Sequence, residues 1–543
     1  MKEGYTGNKP EDDGQKITRR KFLKKAAVLG GGVIVAGAGI GYILEDMKEG
    51  SPRRSEKKPD FDFTAEDVIK TLAPASEGSS IEYIGSGTSD FQSEPLLYGP
   101  DGNPLPPLSD WELEVANKIE GKPTTIPNAQ TAPLPHFFEE KEKYINRSAE
   151  MGQNMFRFSL DFSRLCPKEG SFDEKMMAEY VQALALIKAR GQEPFLTLNH
   201  FTMPKYLVGL DQNGNVNAGG WEHPDVAKHF RFYIENVTRF LGNEDKIRRI
   251  LGDMNLDRES QDRFLSEGIA QFFMTINEPI TILANGYMSG SFPPHKKGAL
   301  LAMKHAFGEM VSANAMASNE IKTGLRHFEH KPQVGVGYNW QYYEGILGKA
   351  LHAFDEYYTS KIEGEGNNSD FLALQYYFRM KIPLLPGEKK NLEYADHPIF
   401  GDIYPPGILE SLKQMNAVYP QKQIFISEFG FSDKDDLRRP YWILETVRYI
   451  IEAKKMGIPV KGMLLWTLVN NFEWDFGMSQ KFGLFSESEL DKPLTPSTQG
   501  IRSWEVWRAA TEAITSPTPE SLQELQKMYE TAYQQYKGAG GKY

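Results

Sequence analysis

The chain is almost devoid of cysteine, and it has no excess of basic residues. Cys166 is the single cysteine among 543 residues. An intramolecular disulfide and a cysteine-based metal cluster are therefore both excluded. Acidic side chains outnumber basic ones by 73 to 62, which gives a formal net charge of −11. Nucleic-acid-binding domains usually carry a basic excess, so this balance argues against them, and we attribute the acidity to solubility.

One uncharged apolar run of 19 residues, Ala26–Leu44, follows a basic segment near the amino terminus. The basic segment reads Thr-Arg-Arg-Lys-Phe-Leu-Lys-Lys from Thr18, and it resembles a twin-arginine export signal. The run is close to the roughly 20 residues that span a bilayer, although Ala36-Gly37-Ala38 also offers a small-residue cleavage site. We expect residues 1–44 to engage the twin-arginine machinery, as a cleaved signal or a membrane anchor. The rest of the chain would then lie on the periplasmic or extracellular face.

Short apolar runs alternate with helical patterns from about residue 61, after a charged linker over residues 45–60. This alternation is typical of βα units in a parallel sheet. Eight strands are predicted, at Ile81–Ser86, Met155–Leu160, Pro194–Leu198, Phe272–Ile276, Val334–Tyr338, Phe371–Gln375, Ile424–Ser427 and Gly462–Trp466. Eight repeats favour a closed barrel, so we predict an α/β fold with a single (β/α)8 TIM barrel over residues 61–515.

Long insertions and a helical tail complete the predicted architecture. Residues 96–135 are rich in proline and are predicted to form a long loop, whereas the charged residues 242–270 are predicted to hold a short helix. A tail over residues 516–543 begins with the cap-like pair Thr518-Pro519. An apolar stripe on one face of this tail predicts that the helix docks on the barrel, and it consists of Leu522, Leu525, Tyr529, Ala532 and Tyr536.

Two glutamates stand where predicted strands four and seven end, at Glu278 and Glu428. Chemistry in a barrel of this kind sits at the carboxyl ends of the strands. Glycoside cleavage needs two carboxyl groups in different protonation states, and retaining enzymes hold them about 5–5.5 Å apart. Neither chemical step requires a metal or an organic cofactor, so none is expected.

Five motifs in order resemble those of glycoside hydrolase family 1, the β-glucosidase and β-galactosidase family. Thr275–Pro279 resembles its Thr-x-Asn-Glu-Pro motif, and residues 466–474 resemble Trp-Ser-Leu-x-Asp-Asn-Phe-Glu-Trp. Residues 426–430 are similar to its Thr-Glu-Asn-Gly nucleophile motif, residues 156–159 to Tyr-Arg-Phe-Ser, and residues 87–94 to a first-strand motif ending in Gln-x-Glu. The resemblance runs from about residue 81 to residue 500.

The resemblance implies a role for each matching position. Glu278 would be the acid/base and Glu428 the nucleophile of a retaining hydrolysis through a covalent glycosyl-enzyme. Arg157 would pair with Glu428 and keep it ionised, and Tyr377 would donate a hydrogen bond to it. The nonreducing sugar would be held by Gln92, His200, Asn277, Trp466, Glu473 and Trp474, with Asn277 on the 2-hydroxyl and Trp466 beneath the ring.

The chain also departs from the family pattern at several positions. Phe201, Gln375, Phe429, Asn470 and Lys481 stand where the family has Trp, Asn, Asn, Asp and Arg. None of these removes a carboxylate, so we predict exo-acting hydrolysis of a terminal β-glucoside or β-galactoside, with the glycone left open. Glu473 would repel a phosphate, so the sugar is expected to be unphosphorylated. Two alternatives remain, a carbohydrate-binding pseudoenzyme and a sister-family barrel glycosidase that cleaves polysaccharides internally.

Overall fold

Eight parallel strands close into a barrel in the computed structural model, which describes residues 81–364, 369–381, 393–397 and 401–542. The barrel strands are Tyr83–Gly87 (β1), Met155–Ser159 (β2), Glu193–Thr197 (β3), Phe272–Met274 (β4), Gln333–Asn339 (β5), Phe371–Tyr376 (β6), Gln423–Phe429 (β7) and Val460–Trp466 (β8). Each strand pairs with its neighbour in chain order, and β8 closes the ring against β1. The predicted (β/α)8 barrel is confirmed, and every predicted strand overlaps an observed one.

Helices surround the barrel and connect its strands. They are Asp90–Ser93 (α1), Asp110–Ile119 (α2), Phe137–Glu150 (α3), Phe162–Leu165 (α4), Glu174–Ala189 (α5), Val226–Leu241 (α6), Glu244–Asp253 (α7), Arg258–Glu267 (α8), Pro279–Leu283 (α9), Leu300–Gly324 (α10), Ile346–Gly364 (α11), Gly407–Val418 (α12), Arg439–Lys455 (α13), Ser503–Thr515 (α14) and Pro519–Gly538 (α15). Short strands at Val208–Leu210 and Val216–Gly219 form a hairpin outside the barrel.

The prediction of one continuous loop over residues 96–135 is wrong, because α2 lies inside it. The Ser109 hydroxyl accepts a hydrogen bond from the Glu112 amide and caps the first turn. Trp111 and Val115, four residues apart on one helical face, are buried in the core. The prolines that suggested a loop all lie outside the helix. The charged segment 242–270 holds two helices, α7 and α8, rather than one.

An apolar plug fills the lower half of the barrel interior, which is the half toward the amino-terminal ends of the strands. Its members are Met155, Phe195, Phe272, Met274, Phe371, Ala373, Phe425 and Leu464. The Phe425 ring lies 5.2 Å from that of Phe272 and 5.0 Å from that of Phe371, between ring centroids. Because side chains alternate along a strand, the next inward positions, such as Arg157 and Thr197, lie one layer above the plug.

The carboxyl-terminal helix α15 packs against α13 and α14, as its apolar stripe predicts. The Thr518 hydroxyl caps it by accepting a hydrogen bond from the Ser521 amide at 3.0 Å. Tyr536 is buried on the stripe, and the Tyr529 hydroxyl donates to Glu445 Oε1 of α13 at 2.9 Å. The tail is therefore a packed part of the barrel's outer layer.

The single cysteine lies directly after α4 and is buried. Burial raises the pKa of the Cys166 thiol to about 12, so it is a packed side chain, as expected. The predicted export segment and the charged linker lie outside the described residues. Within the described ranges, no helix combines the length and apolarity of a membrane span.

Candidate active site

Glu428 reaches the barrel interior because β7 contains a bulge. Ser427 is an extra residue between two aligned pairs with β6. Phe425 packs inside the barrel, whereas Ile426 packs in the outer layer. Strict alternation would place Glu428 on the same outer side as Ile426. The bulge resets the alternation, so the carboxylate points into the barrel.

Three donors surround the buried Glu428 carboxylate. Arg157 Nη1 lies 2.5 Å from Oε1, and Gln375 Nε2 lies 2.7 Å from the same oxygen. The Tyr377 hydroxyl donates to the other oxygen, Oε2. Arg157 is itself fully buried, and its Nε donates to Thr197 Oγ1 at 3.1 Å. Arg157 and Tyr377, the two partners predicted for Glu428, are therefore in place. They hold its carboxylate in one orientation.

The amide of Asn277 is oriented by two donors. Its Oδ1 accepts from Arg157 Nη2 at 2.8 Å and from Gln375 Nε2 at 2.6 Å. Its Nδ2 therefore faces His200 Nε2, at 3.3 Å, and this ring nitrogen must accept. The His200 proton then resides on Nδ1, which is buried and has no hydrogen-bond partner among the residues that the structure describes. Burial and the Arg157 charge lower the pKa of His200 well below its usual value, so a neutral ring offers one N–H to a ligand.

Glu278 follows β4 and adopts a left-handed backbone conformation, with φ 44°. Its carboxyl is buried, and Asn339 Nδ2 lies 3.1 Å from Oε2. Burial, and next the negative charge of Glu428, raise the pKa of Glu278 to about 8. Both effects favour the protonated form of Glu278.

Gln92 and Glu473 follow the adjacent strands β1 and β8 and meet at the mouth of the barrel, although they are 381 residues apart in the chain. Gln92 Nε2 donates to Glu473 Oε2 at 3.1 Å, and the Ser89 hydroxyl donates to Gln92 Oε1 at 3.0 Å. Burial raises the pKa of Glu473 to about 8, and the charge of Glu428 adds to that effect. This pair offers both donors and acceptors to sugar hydroxyl groups.

An aromatic wall forms the remaining side of the site. The His200 ring stacks on Trp466 at 5.7 Å and on Trp474 at 5.8 Å, between ring centroids. The Arg157 guanidinium lies 5.8 Å from the Trp466 ring. Phe201 packs 4.7 Å from Trp474, so it occupies the wall as an apolar ring without an N–H donor.

Strained backbone is concentrated around this mouth. Seven described residues other than glycine have a positive φ, and four of them are Phe201, Glu278, His295 and Trp474. Such conformations are costly for residues with a Cβ and tend to occur at functional sites. Backbone strain therefore marks the same place as the predicted side chains, and the structure brings all ten of them together.

Three polar residues of the site received no role from the sequence. Gln375 was noticed only as a departure from the family pattern, yet it contacts both Asn277 and Glu428. Asn339 is the last residue of β5, so the rule about strand ends would have found it. Gln341 lies beyond the strand, and nothing in the local pattern singles it out.

Comparison with known proteins places this geometry in a family. The Glycosyl hydrolase family 1 model matches residues 117–252 and 353–492, just over half of the chain. Glu428, Trp466 and Glu473 lie in the second matched range, whereas Glu278 lies between the two ranges. The chain is similar to the β-galactosidase of Sulfolobus acidocaldarius, with 23% identity over 516 residues, covering 82% of this chain and 96% of that protein.

A second relative agrees with the family match, and a solved structure shares the fold. The 1,4-β-D-glucan glucohydrolase of Thermotoga neapolitana is 21% identical over 431 residues, which cover 70% of this chain and 92% of that protein. The β-glycosidase of the hyperthermophile Thermosphaera aggregans superposes with a TM-score of 0.61 at 23% identity, covering 83% of this chain and 98% of that one. The family match decides against the sister-family alternative. The chain thus belongs to glycosyl hydrolase family 1 and is a divergent β-glycosidase of that family.

Proposed function

We propose that this enzyme removes terminal β-linked sugars with retention of configuration, using Glu428 as the nucleophile and Glu278 as the acid/base. The observation that carries the proposal is the contrast between two neighbouring carboxyl groups. Glu428 accepts hydrogen bonds from three donors, whereas burial and the charge of Glu428 favour the protonated form of Glu278. A retaining hydrolase needs this division between an attacking carboxylate and a proton donor.

The first step forms the glycosyl-enzyme. A Glu428 oxygen attacks the anomeric carbon, the bond from that carbon to the leaving oxygen breaks, and Glu278 gives its proton to that oxygen. Arg157, Gln375 and Tyr377 keep the attacking carboxylate in place before the sugar arrives. Binding therefore does not have to order the nucleophile.

The second step releases the sugar. Glu278, now a carboxylate, takes a proton from a water molecule whose oxygen attacks the anomeric carbon, and the ester bond to Glu428 breaks. The charge of Glu428 is one reason why the pKa of Glu278 is raised. Esterification removes that charge, so the pKa of Glu278 falls when this residue must act as a base.

The sugar contacts support an unphosphorylated glucoside or galactoside as the substrate. Gln92, Glu473, His200 and Asn277 present donors and acceptors suited to vicinal hydroxyl groups, and Trp466 offers an apolar face. A phosphate would lie beside the Glu473 carboxyl, which offers it no positive charge. The names of the relatives, a β-galactosidase and a glucan glucohydrolase, agree with this substrate class. A carbohydrate-binding pseudoenzyme has no comparable support, since both carboxyl groups and their partners are in place.

The test is a panel of aryl β-glycosides assayed with the wild-type enzyme, Glu428→Gln and Glu278→Gln. We expect Glu428→Gln to lose turnover of every substrate by about 10⁴-fold or more, because no nucleophile remains. Glu278→Gln should still be glycosylated by substrates with good leaving groups, then stall until azide is added.

The matched control for these variants is Glu445→Gln, which alters a buried glutamate of α13 outside the site. It should retain wild-type kcat. Full activity of Glu428→Gln or Glu278→Gln on its best substrate would contradict the assigned roles.

We also propose that residues 1–44 direct export to the periplasmic or extracellular face. The support is the pair Arg19-Arg20 followed by the apolar run Ala26–Leu44. Cell fractionation should find the wild-type enzyme exported and the double variant Arg19→Lys, Arg20→Lys retained in the cytoplasm. Equal export of both would refute the twin-arginine route, whereas retention of both would refute export.

A further inference from the structure

Gln341 follows β5, which lies between the strands that carry the catalytic carboxyl groups, β4 for Glu278 and β7 for Glu428. It is only 2% exposed. Its Oε1 accepts hydrogen bonds from the backbone amides of Tyr377 and Phe378, both at 2.9 Å. Its Nε2 donates to the Gln375 carbonyl oxygen at 3.2 Å and to Asn339 Oδ1 at 2.5 Å. All four polar contacts of this side chain are therefore to residues of the site or their immediate neighbours.

The orientation of each amide in this chain of contacts is determined by the one before it. Backbone amides can only donate, so the oxygen of Gln341 must face Tyr377 and its NH₂ group must face Asn339. Asn339 must then present Oδ1 to Gln341 and Nδ2 to Glu278. That Nδ2 lies 3.1 Å from Glu278 Oε2 and 3.1 Å from Thr281 Oγ1.

The direction of this last hydrogen bond matters for catalysis. A donor facing Glu278 stabilises its carboxylate form, whereas a flipped amide would present an oxygen and stabilise the protonated form. Burial and the Glu428 charge already favour the protonated form. Asn339 is one of the groups that oppose them.

We propose that Gln341 is a positioning residue, which fixes Asn339 as a hydrogen-bond donor and so lets Glu278 give up its proton to the leaving group. The inference rests on the proposed function, because it concerns the acid/base of that reaction. The other groups that act on Glu278 lie on the elements around it, and they are Arg157, Thr281, Tyr343, Tyr377, Glu428 and Glu473.

The experiment is the pH profile of kcat/KM for the wild-type enzyme, Gln341→Ala, Asn339→Ala and the double variant, with an aryl β-glycoside that has a poor leaving group. The alkaline limb of the wild-type profile should lie near pH 8, where Glu278 loses its proton. Each single variant should move that limb upward by about 0.5 to 1 pH unit, the worth of one lost hydrogen bond. The double variant should move it no further than Asn339→Ala alone, because Gln341 acts through Asn339.

A purely structural role for Gln341 predicts a different result. Loosened packing would admit water to Glu278, lower its pKa and move the alkaline limb downward. The matched control is Gln153→Ala, since Gln153 is buried and its side chain accepts from Ser86 and Ser148, at 2.8 and 2.7 Å, away from both catalytic carboxyl groups. It should leave the limb where it is. A limb that stays or moves downward in Gln341→Ala, or additive shifts in the double variant, would overturn the inference.

A second variant keeps the test available if Gln341→Ala does not fold. Gln341→Leu keeps a similar side-chain volume and adds no charge but removes the donor to Asn339, so it too should move the limb upward. Failure of the proposed function would be visible separately. Full activity of Glu278→Gln on the same substrate would refute the acid/base role, whereas an inactive Glu278→Gln with an unmoved limb in the Gln341 variants would refute only the present inference.

Discussion

The two ends of the barrel interior use the same strands in opposite ways. At the lower end, inward positions carry rings such as Phe195, Phe272 and Phe425, which pack mainly on one another and on other apolar side chains. At the mouth, inward positions carry Arg157 and Gln375, whose buried polar atoms bond to other buried polar atoms. The lower end gains stability from apolar burial, whereas the mouth bears the cost of desolvated charge and strained backbone.

This contrast indicates that different interactions hold the two ends of the barrel interior in shape. The mouth is held in shape by hydrogen bonds between specific atoms, and each bond sets the orientation of the next. The plug beneath is held by contact area, which depends on volume rather than on direction. Damage at the lower end should therefore affect folding, and damage at the mouth should affect chemistry.

Phe272→Ala tests the lower end and should have the largest effect on stability. Truncation removes a ring that packs on four others and should lower the free energy of unfolding by about 3–5 kcal/mol. Denaturant unfolding measures the loss. The KM and the pH profile of the folded fraction should match those of the wild-type enzyme, and a shifted profile would show that the two ends are not independent.

Gly337→Ala tests the boundary between the two ends. A Cβ at this position would lie 2.6 Å from Met274 Sδ, 3.2 Å from Asn277 Oδ1 and 3.3 Å from Gln375 Nε2. We expect a loss of about 1–3 kcal/mol in the free energy of unfolding, because the site is overpacked. We also expect at least about a tenfold loss of kcat/KM, because the contacts of Glu428 shift. A loss of stability with unchanged kcat/KM would show that Gly337 contributes to folding, like the plug, and not to the geometry of the site.

Ser89→Ala tests the hydroxyl that orients the Gln92 side chain and also accepts from the Gln92 backbone amide, and it should have the smallest effect. The Ser89 hydroxyl fixes the oxygen of Gln92, so its removal lets that amide rotate away from Glu473. We expect KM to rise by about three- to tenfold, the worth of roughly one hydrogen bond, with little change in kcat. A fall in kcat at constant KM would show instead that this contact acts in the transition state.

The sequence could predict most of the scaffold and the two glutamates. Apolar runs between helical patterns located all eight strands, and the rule that chemistry follows strand ends selected Glu278 and Glu428. The family motifs then supplied partners such as Arg157 and Tyr377, which the structure places beside Glu428.

Features that depend on neighbouring strands could not be predicted. The pattern of residues 424–428 reads as an ordinary strand, and only the pairing with β6 reveals that Ser427 is an inserted residue. The role of Gln341 likewise depends on the backbone amides that follow β6. The sequence around Gln341 does not show that these amides lie beside it. The helix α2 was missed because prolines on both sides of it outweighed its own helical pattern.

The buried position of Cys166 has a practical consequence for following the enzyme in solution. A thiol that is both enclosed and protonated reacts slowly with maleimides, so the native chain offers no competing site for such reagents. Leu301 is 87% exposed, and a cysteine introduced there by Leu301→Cys would be open to the reagent. A fluorophore can thus be attached at one chosen point without first replacing the native cysteine.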